Sequence, residues 1–347
     1  MLSASGLGAP FMLWVVGGFL ALSLLLYCLL AGADFGAGIL EIFLRPSRRA
    51  AQRSVIDKAM GPVWEANHMW LILMVVILFT GFPEAYSRMS IQLHLPLTAM
   101  LMGIIARGCA FTFRHYDAVK GRSQRTYTAF FMFFSVWTPF WLGVILGALV
   151  PGGIQTASTS YAEGFIRPWL RPFPLTLGFF TVCLFAFLAA AYLIGESPAG
   201  EIRRSFLRRA RIACVVMVLA GGFVFWAAHA DGIAMISRFM HSRVASGCLL
   251  LATLSLPALW LAWRRESIWL IRVLAGAQVT LILTGWLWIQ FPVLVHMPQG
   301  DLTFYNAHAP SATLNYLGTA LLTGSVLILP ALFYLFRVFK VQKDVQV

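Results

Sequence analysis

The stretch FMLWVVGGFLALSLLLYCLLAGADFGAGILEIFL, residues 11–44, decides the fold, because it is too long and too apolar for a soluble helix. At about 1.5 Å per residue it forms a helix roughly 51 Å long, well beyond the ~30 Å hydrocarbon core of a bilayer. Its last third contains GADFGAG, residues 32–38. An ionisable side chain inside such a span costs at least about 3 kcal/mol, which makes Asp34 a functional candidate.

The rest of the chain has the same character. It is 60% hydrophobic and 11% charged over 347 residues, with a mean hydropathy of +0.80. These values predict an all-α, polytopic membrane protein in one integral membrane domain, 1–347, without a soluble module. Hydropathy predicts nine helices, arranged as two four-helix bundles plus one helix. Their approximate bounds are 11–44, 62–81, 93–113, 126–150, 172–194, 212–230, 244–263, 273–292 and 314–336.

Basic residues set the predicted topology. The chain has 26 Lys and Arg against 13 Asp and Glu, and they cluster between spans, which argues for orientation signals and against nucleic-acid binding. Alternate connections, starting with 45–61 and ending with the C-terminal tail, hold roughly four times as many Lys and Arg as the other set. The N-terminus is therefore predicted outside and the C-terminus in the cytoplasm.

A second apolar segment carries WEANHMW, residues 64–70. Counting residues from the outer ends of the two helices puts Asp34 and Glu65 at neighbouring depths in the inner third of the membrane. Asp34 and Glu41 are two helical turns apart, and Glu65 and His68 are three residues apart. We therefore expect Glu41, Asp34, Glu65 and His68 to form a polar file open to the cytoplasm, with the geometry of a proton relay.

Small residues beside the first acid predict close helix packing at Gly32, Gly36 and Gly38. Structural roles remain open for the acids. Asp34 or Glu65 would then cap a helix end, pair with Arg45 or Arg107, or fix subunit packing, and Glu41 would lie among headgroups beside Arg45. A lone His68 is more often a packing residue than a cofactor ligand.

No redox centre is evident in the sequence. The five cysteines fall within apolar spans without CxxC or metal-type spacing, so neither disulfides nor a metal site is expected. No two histidines form the facing pair of a bis-His haem site, and no GxGxxG or P-loop motif is present. The chain thus holds acids without a catalytic group of its own.

Four blocks together resemble a known family: GADFGAG at 32–38, GPVWEANHMW at 61–70, FPEAY at 82–86 and RGCAFTFR at 107–114. With the order of nine spans, they are similar to subunit II of cytochrome bd-type quinol oxidases. The likeness runs along nearly the whole chain and is strongest over 30–115.

The resemblance implies a bacterial inner-membrane complex, a terminal respiratory oxidase, that oxidises quinol and reduces dioxygen to water. In that family haems b558, b595 and d and the quinol site belong to subunit I, the partner expected here. Subunit II is thought to conduct cytoplasmic protons, with Glu65 and Asp34 as relay residues. Trp64, Asn67 and Trp70 are candidates for an oxygen route or a subunit contact. A structural quinone, a small accessory subunit and lipid contacts are left open.

The chain departs from some family members at two acidic positions, where it has Ala31 and Thr112. Any relay drawn through those positions must differ here. Two other functions remain open at this stage. A proton-coupled secondary transporter would also place acids in apolar helices, and a purely structural assembly subunit would use them only for interhelical contacts.

Overall fold

The computed structural model describes residues 11–61, 64–116, 122–152, 154 and 160–341. Within these ranges nine helices are long and apolar enough to cross a membrane, which confirms the predicted number. The first span is α1 (Phe11–Leu26), one π-helical turn (Tyr27–Ala31) and α2 (Gly32–Ile42) in succession. It was predicted as one unbroken α-helix. Single π turns are rare and are often found at functional sites.

The remaining helices follow in chain order, together with a short 3-10 turn at Pro46–Arg48. They are α3 (Arg49–Met60), α4 (Trp64–Gly81), α5 (Pro83–Gln92), α6 (His94–Tyr116), α7 (Arg122–Ala148), α8 (Tyr161–Phe165), α9 (Pro172–Glu196), α10 (Glu201–Ala230), α11 (Met235–His241), α12 (Arg243–Arg264), α13 (Ile268–Gln290) and α14 (Ser311–Val341). A two-stranded antiparallel hairpin, β1 (Val293–Val295) with β2 (Leu302–Thr303), connects the last two.

Helix α9 is the centre of the molecule. Among the 18 most apolar successive residues of α9, 72% are buried inside the protein, whereas the corresponding share does not exceed 44% in any other described span. It packs against α2, α7, α10 and α13. Glycines bring α7 and α9 close together: a Cβ on Gly178 would lie 2.7 Å from the carbonyl oxygen of Phe140. Such small-residue contacts drive helix association in membranes, where apolar burial alone supplies little.

Local chemistry explains where several helices begin. Ser160 and Ser242 accept hydrogen bonds from backbone N–H groups in the first turns of α8 and α12. Helix α9 starts at a proline, and the carboxylate of Asp231, just after α10, accepts a bond from the N–H of Phe173 at 2.8 Å. This bond ties the start of α9 to the end of its neighbour.

Two differences from the predicted elements are informative. Segment 45–61 was expected as a connection, but most of it is the amphipathic helix α3. Helix α10 begins at Glu201 and not near 212, because its arginine-rich first turns are good helix formers that hydropathy cannot detect. Apolar periodicity locates spans, whereas polar helical extensions escape it.

Candidate functional site

A buried ion pair joins the first span to α6. Arg107 Nη1 donates to Asp34 Oδ2 at 2.9 Å, and each side chain is 2% exposed. Arg107 Nη2 donates to the backbone carbonyl of Asp34 at 3.1 Å, and Nε donates to Ser135 Oγ at 3.0 Å. The guanidinium lies between the rings of Phe35 and Phe131, 4.6 and 4.8 Å from their centroids. Arg107 is therefore held by contacts on every side.

A second ion pair lies two helical turns further along the same two helices. Arg114 Nη1 binds both carboxylate oxygens of Glu41, at 3.1 and 2.9 Å. Arg53 of α3 also binds Glu41, and Arg114 Nη2 binds Asp57 of α3. Glu41 is 1% exposed, so two arginines compensate a fully buried carboxylate.

The two pairs form a ladder, defined here as Asp34–Arg107 and Glu41–Arg114. The acids are seven residues apart on the first span and the arginines are seven apart on α6, so both pairs span 73 residues of sequence. Equal spacing in the same order requires the two helices to run parallel. The ring of Phe131 on α7 lies between the rungs and contacts both guanidinium groups.

Asp34 is bonded through only one of its carboxylate oxygens. Among the residues that the structure describes, its Oδ1 has no hydrogen-bond partner although it is buried. Asp34 also lines a cavity of about 180 Å³ between the first span, α3, α4, α9 and α13. Its other polar lining residues are Asn67, Tyr192, Glu196 and Arg272. A buried acceptor beside a cavity of this size is the usual setting for bound water.

The four expected relay residues do not form one file. Asp34 and Glu41 lie in the ladder, whereas Glu65 is exposed on α4. His68 is turned inward, with its ring 5.5 Å from that of Phe35 and 6.1 Å from that of Tyr27. Three helical residues rotate by about 300°, so Glu65 and His68 lie on either side of the boundary between the packed and open faces of α4.

The other residues of the WEANHMW block mostly face inward. Trp64 is half-buried with its ring 5.4 Å from Phe111, and Trp70 is 9% exposed. Asn67 is 4% exposed and lines the cavity.

At each glycine of GADFGAG, an atom of a neighbouring helix occupies the place that a Cβ would take. A Cβ on Gly36 would lie 1.9 Å from the carbonyl oxygen of Phe185, and one on Gly38 would lie 2.1 Å from Ser135 Oγ. A Cβ on Gly32 would lie 2.8 Å from the Phe185 ring. The first span therefore approaches α9 on one side and α7 on the other at backbone distance.

Asp57 shows how crowded the charges are at the α3 end of the ladder. Burial raises the pKa of its carboxyl above the ordinary value, and the nearby Glu41 carboxylate raises this pKa further. Arg114, His115 and Arg53 oppose the increase. The carboxylate of Asp57 is therefore neutralised at a higher pH than that of an ordinary aspartate.

Sequence reasoning missed part of this site. Arg107 was weighed as a partner of Asp34. For Glu41, the structural alternative to a relay role was a place beside Arg45, whereas Glu41 binds Arg53 and Arg114. The available signal was the matched spacing of seven residues in both helices. Glu196 and Arg272, which pair across the cavity at 2.8 Å, carried no comparable signal because they lie at span ends rich in charge.

A polytopic helical membrane subunit with a buried charge ladder is the class that this fold and site define. The family model for cytochrome bd terminal oxidase subunit II matches residues 11–339, and the chain belongs to that family.

Known relatives agree with this assignment. The chain is 26% identical over 317 residues to the cytochrome bd ubiquinol oxidase subunit 2 of Bacillus subtilis, covering 90% of each protein. It is also 26% identical to the cytochrome bd-I ubiquinol oxidase subunit 2 of Escherichia coli over 67% of this chain and 60% of that protein. A chain of the bd oxidase of Geobacillus thermodenitrificans has the same fold, with a TM-score of 0.75 and 20% identity over 95% of this chain and 99% of that one.

The family implies haems in the complex, so we asked whether residues of this chain fit one. Ring nitrogens of His94, His115, His241 and His308 bond to nearby backbone carbonyls, and His296 pairs with Asp301. His68 is half-buried, with its ring beside those of Tyr27 and Phe35. The bonds of the other rings use Nδ1 and leave Nε2 free in most of them, but the cavity beside Asp34 has no histidine among its described lining residues, so it supplies no imidazole ligand for a haem, and no step below is derived through one.

Proposed function

We propose that this chain is the haem-free subunit II of a quinol:dioxygen oxidoreductase in the bacterial inner membrane. It packs against a subunit I that holds haems b558, b595 and d, and it conducts cytoplasmic protons toward the site of oxygen reduction. The N-terminus lies outside and the C-terminus in the cytoplasm, so the ladder and the cavity lie toward the cytoplasmic side.

This proposal rests on the exposed position of Glu65. It is on a face of α4 where Met69, Ile72, Val76 and Phe79 are also exposed. Within the described residues no ion pair or hydrogen bond reaches its carboxylate. An unpaired carboxylate facing lipid at this depth is costly, whereas a partner subunit that covers this face would supply polar groups to it.

Helix α6 also has exposed apolar side chains. Leu101, Met102 and Ile105 are all more than half exposed. A surface of this kind suits either lipid or a second membrane subunit, and the exposed carboxylate of Glu65 favours the subunit. Glu65 would then deliver protons across the interface, since dioxygen reduction to two waters consumes four protons.

The experiment is Glu65→Gln in the assembled complex, which removes the titratable group and keeps the shape. Oxygen consumption should fall by roughly two orders of magnitude, in the range of a lost proton-transfer group. The haem absorption spectrum should stay unchanged, because the substitution lies outside subunit I. Glu84→Gln on α5 is the matched control, since Glu84 is an exposed carboxylate at the other end of α4.

Normal oxygen consumption by a fully assembled Glu65→Gln complex would refute proton delivery through this residue. Loss of haem from the complex would instead favour the structural alternative, in which the acids only hold subunits and helices together. An isolated chain that transports a solute on its own would favour the transporter.

A further inference from the structure

We propose that the cavity between the first span, α3, α4, α9 and α13 is a hydrated antechamber that loads protons onto Asp34 from the cytoplasm, with the Glu196–Arg272 pair at its mouth. This inference rests on the proposed function and deepens it. It assigns an entry route to residues that neither the family motifs nor the ladder includes.

Two residues that line this cavity each have a buried polar atom without a protein partner. Asp34 Oδ1 and Arg272 Nε are both buried, and neither has a hydrogen-bond partner within the described residues. Both residues line the same cavity of about 180 Å³. Burying both groups without a hydrogen-bond partner is unfavourable, and water molecules in the cavity would satisfy them.

The mouth of the cavity is a structured ion pair. Arg272 Nη2 donates to Glu196 Oε1 at 2.8 Å and to the backbone carbonyl of Tyr192 at 2.9 Å. Gly195 makes room for it, since a Cβ there would lie 2.4 Å from the guanidinium carbon. Glu196 is 18% exposed at its side chain, so it contacts both the outside and the cavity lining.

The geometry gives a short path. Gly36 packs beside Phe185 and Ala189 of α9, and Glu196 lies seven residues beyond Ala189. Seven helical residues rise about 10 Å, a distance that a few waters can bridge. The lining between the ends includes Leu30, Ala33 and Leu193, which offer no competing proton acceptor.

The proton step balances within this chain. A hydronium in the cavity gives one proton to Asp34 Oδ1 and becomes water, while the carboxylate becomes a neutral carboxylic acid. Arg107 keeps its positive charge and its three donors remain on Asp34 Oδ2, the Asp34 carbonyl and Ser135. When Asp34 passes the proton on, the carboxylate is restored and the ladder returns to its starting charge.

This route also accounts for Ala31 and Thr112, the two positions where the chain lacks an acid. Neither side chain has a carboxyl group that could hold a proton, so a route through acids at these two positions is closed to this chain. The cavity approaches Asp34 from α9 and α13, which bypasses both positions.

Water access is tested directly by cysteine labelling of the whole complex in inside-out vesicles. Leu193→Cys on α9 lines the cavity, and Ile194→Cys is the control, because Ile194 is buried to a similar extent and is not among the lining residues. A small, water-soluble, cationic methanethiosulfonate should label the first and spare the second, above the background of the parent chain. Leu30→Cys provides a second lining position should the first variant fail to assemble.

The role of the mouth is tested by Glu196→Gln. Turnover should fall on the order of tenfold and the solvent deuterium isotope effect should rise, with the haem spectrum unchanged. Glu196→Asp should recover part of the rate. Glu201→Gln is the matched control, since Glu201 is five residues away and pairs with Arg48 at an exposed position outside the cavity lining.

Failure of this inference differs from failure of the proposed function. If Glu65→Gln slows turnover while Glu196→Gln does not, or if the lining cysteines resist labelling, protons enter elsewhere and the antechamber is refuted. Resistance to labelling would also be the result if lipid or quinone filled the cavity. If Glu65→Gln turns over normally, the proposed function falls whatever the labelling shows.

Discussion

Arg107 donates to the Asp34 carboxylate through Nη1, to the Asp34 carbonyl through Nη2 and to Ser135 through Nε, whereas Asp34 accepts through only one of its two carboxylate oxygens. The pair is thus rigid on the arginine side and open on the aspartate side. A purely structural ion pair gains most when both partners are satisfied. The unused Oδ1, on a residue that lines the cavity, is therefore the feature that a proton-carrying role would require.

Asp34→Asn should destabilise the complex, because it leaves the buried Arg107 without a counter-charge. We expect a cost of about 3–5 kcal/mol, the usual effect of removing one partner of a buried pair. The measurement is the thermal denaturation midpoint of the purified complex together with its haem-to-protein ratio.

The double variant Asp34→Leu with Arg107→Met separates structure from function. Replacing both charges by apolar side chains is often neutral or stabilising, so assembly should recover. Turnover should remain slow, because no proton acceptor is restored. Normal turnover in this double variant would mean that Asp34 serves only to pack helices.

Glu41→Gln should also weaken the fold, since Arg53 and Arg114 both bind this carboxylate; Arg53 would lose its ion pair, and Arg114 would keep only the one with Asp57. A loss of about 3 kcal/mol or more is expected, seen as a lower denaturation midpoint. Glu201→Gln removes the exposed partner of Arg48 and should have little effect, as for most surface pairs. Equal effects of the two substitutions would contradict a special role for the second rung.

Gly36→Ala should separate α2 from α9. The added methyl would lie 1.9 Å from a backbone oxygen that cannot rotate away, so the helices must move. Overpacking of this kind costs at least about 1–3 kcal/mol. The expected result is a low yield of haem-containing complex. Gly222→Ala on α10 is the control, because no atom lies within 4 Å of the added methyl, and an unaffected yield is expected there.

Asp57 gives a prediction for pH. Because burial raises the pKa of Asp57 in the folded chain, ionisation of its carboxyl lowers the free energy of unfolding. The contribution of Asp57 to stability is therefore greatest below its unfolded pKa of about 3.9 and declines as pH rises from there through the higher folded pKa.

The measurement is the difference in denaturation midpoint between the parent and Asp57→Asn complexes across that acidic window. The denaturation midpoint of the parent should fall relative to that of the Asp57→Asn variant as pH increases. A difference that stays constant with pH, or that moves in favour of the parent, would rule out a raised pKa at this residue.

The sequence predicted the membrane fold well for a physical reason. A span must bury about 20 successive residues in lipid, so each span is visible in the sequence as a run of about 20 mostly apolar residues. It predicted nine spans, and nine are observed within the described residues. Helix α3 and the first turns of α10 were missed because they lie outside the apolar runs and are held by charges and packing.

The site was only partly predictable. Asp34, Glu41, Glu65 and His68 were singled out because ionisable groups are rare in such segments. Their partners depend on which helix faces which, and one sequence does not give that information. The direction of Glu65 was also out of reach, because the boundary between the packed and open faces of α4 is set by its neighbours.

The π turn at Tyr27–Ala31 lets one span meet two different demands. Before it, Gly17 accepts the ring of Phe304, and after it, Asp34 meets Arg107. A π turn holds one residue more than a regular turn, and one residue is worth about 100° of rotation. Deleting a single residue there would restore a regular α-helix. The outer half of the span would then rotate about the helix axis, and Gly17 would turn away from Phe304 while the ladder stayed in place. The extra residue thus sets the rotation of the outer half of the span relative to the inner half, so that each half presents the side chains that its own neighbours contact.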